Sequence, residues 1–192
     1  TAQTREAMGR VSLMLGEPDQ ALDLLAEAVA MDPYLAPAWT AYLHGLFLFG
    51  DPERFVTEAR RGHELLPDAP TVTGMLGMAL AMAGDLDEAE PLLLAALDAA
   101  PDQPYVNHGL GILHKLRGDA LKAETFLAEE VRLYPDSVPS RRSLVELYAE
   151  QARYDEQLSQ LDAIGEVEQP NVFTTHSRAQ CLFNLQLGAI RE

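Results

Sequence analysis

Residues 70–101 read PTVTGMLGMALAMAGDLDEAEPLLLAALDAAP, and this stretch decides the fold. Pro70 stands where a helix has no N–H to lose, and Asp68 just before it is a candidate N-cap. The uncharged run that follows predicts a first helix over Pro70 to Ala83, ended by Gly84 as a left-handed C′ residue. Asp85 and Glu88 form a D-x-x-E capping box that starts a second helix at once, and Pro101 stops it after about Ala100. Gly77, Ala89 and Ala96 lie among Leu76, Leu80 and Leu93, a mixture that lets two helices cross closely while the leucines fill the space around them. Pro91 falls inside the second helix, where a lost i→i−4 bond predicts a kink.

The same punctuation runs outward in both directions. Pro33, Pro67, Pro101 and Pro135 are 34 residues apart, as are Gly16, Gly50, Gly84 and Gly118. Incomplete ladders of small residues join them at Gly9, Gly77 and Gly111 and at Ala21, Ala89 and Ala123. One helical hairpin cannot bury its apolar face alone, so a fixed period of this length implies stacked units that touch their neighbours. The period of 34, the helix–turn–helix unit and the pattern Leu76-Gly77, Leu80, Gly84, Ala89, Leu93, Ala96, Pro101 resemble the tetratricopeptide repeat (TPR). The resemblance implies an all-α, right-handed α-α superhelix, a single TPR solenoid domain over residues 1–192. Its units are about 2–35, 36–69, 70–103 and 104–137, a degenerate fifth at 138–171 and a partial sixth at 172–192.

Departures from the pattern are local. In the second unit Leu43 and Phe55 stand where the family has Gly and Ala, while Ala59 replaces a bulky residue and Gly62 an Ala, so volume is exchanged between helices. Trp39, at the family's tryptophan position, keeps that unit in register. Glu130 occupies an Ala position, and Val145, Ala152 and Gln157 replace the small-residue signature of the fifth unit.

Composition narrows the function. Fourteen Lys and Arg against 30 Asp and Glu give a net charge of −16, which disfavours nucleic acid and anionic membrane surfaces. The apolar run from Pro33 to Gly50 is broken by Pro37 and leaves a helix too short to span a bilayer. Neither a signal peptide nor a transmembrane helix is expected in this stretch of chain, which leaves cytoplasmic and periplasmic settings both open. The five histidines, at 44, 63, 108, 114 and 176, and the single Cys181 have no metal-ligand spacing, so no metal or cofactor is expected. The glycines make no phosphate loop and the carboxylates lie mostly on outer helices and turns, so no catalytic residue is assigned and the chain reads as a non-enzyme.

In the TPR family, positions 2, 5, 9, 12 and 13 of each first helix face the concave groove. By that resemblance the partner-binding groove holds Thr40, His44, Phe47 and Leu48, then Met78 and Met82, then Tyr105, His108, Ile112 and Lys115, with Arg10 and Arg142 at the two ends. Charge points the same way, since the first helices contain six basic and three acidic residues and most of the acid lies elsewhere. The Lys and Asn positions of the family's carboxylate clamp are not filled here. The expected partner is a protein or peptide with apolar anchors and acidic flanks, bound by a scaffold or adaptor. Two alternatives stand beside it: a targeting or regulatory TPR region of a larger enzyme, and a structural component of an envelope assembly that self-associates through the apolar segment 172–190.

Overall fold

A computed structural model describes residues 1–191, with side chains described through Leu187. The end of the expected sixth unit and of the proposed self-association segment thus lies outside the described side chains, and residue 192 outside the described residues. Among the described residues there are eleven helices and no strand. They are α1 (Ala2–Met14), α2 (Pro18–Met31), α3 (Ala36–Phe49), α4 (Pro52–Leu65), α5 (Pro70–Ala83), α6 (Leu86–Ala99), α7 (Val106–Leu116), α8 (Ala120–Leu133), α9 (Val138–Glu150), α10 (Tyr154–Val167) and α11 (Val172–Arg191). No described helix is long and apolar enough to cross a membrane. The chain forms two compact units, Thr1–Gly109 and Leu110–Glu192, whose boundary falls within α7.

In the first unit each first helix packs on its own second helix and on the first helix of the next repeat, α1 on α2 and α3, then α3 on α4 and α5, then α5 on α6. The small-residue ladder is a matter of clearance. A Cβ on Gly9 would lie 2.6 Å from Leu25 Cγ, and one on Gly77 would lie 2.7 Å from Leu93 Cγ. Both leucines are wholly buried, each worth about 2 kcal/mol of apolar transfer, so the glycines make room for the main anchors of the second helices. The second repeat reverses the arrangement as its sequence implies: Leu43, Phe55 and Ala59 are all buried, and Gly62 accommodates the Trp39 ring. Trp39 is fixed at its other end by its indole N–H, which donates to the Pro33 carbonyl at 2.8 Å.

Some capping expectations change. Gly84 does close α5 in the left-handed region at φ 90°, and the Asp51 side chain caps α4 by accepting from the Arg54 N–H at 3.0 Å. Asp68, however, is not the cap of α5, whose N-cap is Ala69 with no side-chain bond. The Asp85–Glu88 box is not closed either, because Glu88 turns to the Arg60 guanidinium, 2.7 Å away, where it gains a charged partner instead of a backbone amide. Pro91 does not interrupt α6, which runs continuously from Leu86 to Ala99.

In the second unit Ala123 and Leu127 of α8 pack with Leu144, Leu147 and Tyr148 of α9, and Val145 joins Leu161 and Ile164 of α10 with Phe173 of α11 alongside. Glu130 and Gln157 are buried at positions where the pattern has small residues. Ala152 stands where the ladder has glycine and takes the same left-handed conformation, φ 56°, despite its Cβ. One side of α11 docks through buried Thr174 and Cys181, the thiol reaching the Tyr154 carbonyl at 3.1 Å, while Leu182, Phe183 and Leu187 remain exposed.

Candidate functional site

Two features occupy the first-helix side of the first unit. The inner one is an aromatic cluster. His44 and Phe47 of α3 meet Tyr105 and His108 across two repeats: the His44 Nε2 and Tyr105 hydroxyl share a hydrogen bond of 2.8 Å, and the Phe47 ring lies 5.2 Å from Tyr105 and 5.8 Å from His108. Phe55 closes the other side of Phe47 at 6.1 Å. Tyr105 adopts φ 68°, a conformation that costs a non-glycine residue about 1 kcal/mol, and α7 begins only after it, at Val106 instead of near Pro104. Gln103 holds the same turn in place by donating from its side-chain amide to the Pro70 carbonyl at 3.1 Å. Burial lowers the His44 pKa and pushes that of His108 down to about 4, so both imidazoles are neutral near pH 7 and the cluster is uncharged.

The outer feature is a row at the ends of the first helices. Met14, Leu48 and Met82 occupy one repeat position, 34 residues apart, and are 86%, 38% and 43% exposed. Leu15 and Phe49 are exposed beside them. Near Met82 the surface sinks into a recess of about 370 Å³ between the start of α4 and the end of α5, lined by Pro52, Glu53, Phe55, Val56, Ala79 and Met82. Nothing here resembles a nucleophile with its base. The chemistry available is apolar contact with a shaped surface.

The groove residues expected from sequence therefore separate. Leu48 and Met82 lie at the exposed row, and Thr40 is half-buried, bonded to the Ala36 carbonyl and the Thr71 hydroxyl, both at 3.1 Å. His44, Phe47, Tyr105 and His108 are brought together, but chiefly onto one another. Met78 is wholly buried and fills the helix packing. Arg10 pairs with Glu6 one turn back at 3.4 Å. In the second unit Ile112 is half-buried, Lys115 pairs with Glu146 at 2.6 Å, and Arg142 pairs with Glu168 at 2.6 Å while lying over the Phe173 ring. All three basic residues expected to meet acidic flanks thus already face carboxylates of this chain. Met14, Phe49 and Val56 were absent from the sequence reading, and Phe55 entered it only as a packing residue, although subtracting 34 from Leu48 leads directly to Met14.

Models of the tetratricopeptide repeat match residues 2–27 and 53–104, and those spans coincide with repeats whose helices and glycine turns have the geometry above. The chain is a tetratricopeptide-repeat protein. Solved structures resemble this chain over nearly its whole length. A thermophilic TPR protein of Thermus thermophilus, TTC0263, is 23% identical with a TM-score of 0.75 over 95% of this chain and 100% of its own. PilW, a type IV pilus biogenesis factor, is 18% identical with a TM-score of 0.69 over 96% and 87% of the two chains. Pseudomonas aeruginosa pilF is 19% identical with a TM-score of 0.62 over 98% and 91%. At these identities the likeness concerns the fold. No curated protein matches this TPR chain in sequence.

Proposed function

We propose that this TPR protein is a protein–protein interaction scaffold without catalytic activity, and that a peptide or helix of its partner docks on the first-helix side of residues 1–109. The observation that supports this is the exposed apolar row Met14, Leu48 and Met82, opening into the recess at Phe55 and Val56. Exposed apolar side chains gathered in one patch mark interaction sites, whereas singly scattered ones do not. The aromatic cluster behind the row is a rigid backing, because its members are already bonded or stacked on each other. Apolar anchors in a partner would fill the recess and cover the row, in the manner of a helix or strand laid in a groove.

The test is capture of partners by wild-type protein and by Leu48→Asp and Met82→Asp variants, with Glu64→Lys/Asp68→Lys at the opposite helix ends as control. Loss with the first two and retention with the control is the expected result. Retention with folded Leu48→Asp and Met82→Asp and loss with the control would place the interaction elsewhere.

A second reading is favoured by one surface. Leu182, Phe183 and Leu187 of α11 are exposed together, and PilW, to which the chain is similar in fold, is a type IV pilus biogenesis factor. On that reading the chain joins an assembly through α11. Light scattering of wild-type and Phe183→Asp protein against concentration separates the two, since only this reading makes association depend on Phe183.

A further inference from the structure

We propose that the partner segment docked on this row is basic: an amphipathic helix whose apolar face is flanked by Lys or Arg. This rests on the docking reading above and concerns the chemistry of the occupant. The three turns that follow the first helices read Met14-Leu-Gly-Glu-Pro-Asp19, Leu48-Phe-Gly-Asp-Pro-Glu53 and Met82-Ala-Gly-Asp-Leu-Asp87. Each presents an exposed apolar residue and then two exposed carboxylates, and none of the eighteen positions is Lys or Arg. Because α1, α3 and α5 pack in succession and each is followed by a returning helix, the three turns share one edge of the unit. The edge is thus an apolar strip bordered by Glu17, Asp19, Asp51, Glu53, Asp85 and Asp87. Glu53 itself lines the recess, so an anchor inserted there brings its flanking side chains against a carboxylate.

The nearby base offsets only part of this charge. Arg54 is held on the Tyr42 hydroxyl at 2.8 Å and over that ring, and Arg60 is engaged by Glu88. Acid at these places also suits the N-termini of α2, α4 and α6, but only Asp51 of the three N-cap residues there uses its side chain as a cap. Of the rest, Glu17, Asp19 and Glu53 are exposed beside uncovered methionine and leucine. A basic amphipathic segment answers both features at once, whereas the acidic flanks expected from sequence would meet like charge. A second copy of the chain, at net charge −16, is disfavoured for the same reason.

The test uses the full chain and three labelled helical peptides: one with a Leu stripe and Lys flanks, one with the same stripe and Glu flanks, and one with Lys flanks and Ser in place of Leu. Binding is read by fluorescence anisotropy at low and moderate salt. The Leu/Lys peptide should bind about tenfold or more tightly than either of the others and weaken as salt rises. Asp19→Lys/Glu53→Lys should weaken it about fivefold or more, and Glu64→Lys/Asp68→Lys, at the other ends of the helices, by less than about twofold. Equal losses from the two double variants would mean diffuse attraction by an acidic protein and would overturn the proposal, as would equal or tighter binding of the Leu/Glu peptide. If both Leu peptides bind alike and both are lost in Met82→Asp, the docking surface stands and the basic occupant is wrong. If neither Leu peptide binds folded protein, both readings are overturned, and a Met82-dependent dimer would show the second copy to be the occupant instead.

Discussion

The buried His108 imidazole packs on the Phe47 ring and keeps a pKa of about 4, against about 6.5 in an unfolded chain. Well above pH 6.5 neither state is appreciably protonated and the residue adds little pH dependence. As pH falls from 6.5 toward 4 the unfolded chain takes up a proton that the folded one refuses, so stability falls, by on the order of 3 kcal/mol in all. Burial shifts His44 in the same direction. Urea unfolding of wild type and His108→Gln at pH 7 and pH 5 should show the variant losing about 2 kcal/mol less than wild type across that interval. An identical loss in the two proteins would mean that His108 is hydrated in the fold. Ala152 offers a test of the opposite sign. Its φ of 56° is one that a Cβ disfavours, so Ala152→Gly should stabilise the second unit by about 0.5–1 kcal/mol in thermal unfolding, where glycine at an ordinary helical position would cost as much. A destabilised variant would contradict the left-handed turn.

At the scale of helices, the exchange of volume in the second repeat predicts coupling. Gly9 faces Leu25 and Gly77 faces Leu93, and the corresponding pair of the second repeat is Leu43 with Ala59. Leu43→Gly should open a cavity and Ala59→Leu should overpack, each costing about 2–4 kcal/mol, while the double variant restores the arrangement of its neighbours and loses markedly less than the sum. Additive losses from chemical denaturation would refute the exchange. Such pairs are legible in sequence because the 34-residue period identifies which positions face each other, and the same period located the bounds of α5 from Pro70, Gly84 and their spacing. The period does not reveal which polar groups find which partners. Glu88 leaves its expected cap for Arg60, 28 residues away, and Lys115 and Arg142 meet carboxylates 31 and 26 residues on, choices made by side chains reaching between repeats. Tyr105 likewise leaves the helix it was expected to join because its ring and hydroxyl are held by Phe47 and His44. Exposure of Met14, Leu48 and Met82 was half legible: the positions were marked by the resemblance, but their contrast with buried Met78 depends on which neighbours cover them. For α11, Cys181 is a built-in probe. Burial raises its thiol pKa, so alkylation should be slow in folded protein and become fast when α11 detaches, before the second unit unfolds as a whole. Alkylation as fast as that of a free thiol in the native state would show α11 undocked.

The molecule as a whole has net charge −16 and a sequence pI near 4.6, so copies repel one another at neutral pH and that repulsion fades in mild acid. Self-association through exposed apolar side chains should accordingly increase as pH approaches 4.6 and be weakest near pH 7, which static light scattering across that range would register. Against this acidic background one edge of the first unit stands apart, where apolar residues and carboxylates alternate in register with the repeat. The central claim is that a partner covers that edge. Hydrogen–deuterium exchange of the chain with and without the bound Leu/Lys peptide tests it most directly. Added protection is predicted at residues 13–19, 47–56 and 79–87, and protection confined to the outer faces of α2, α4 and α6 or to residues beyond 109 would contradict it.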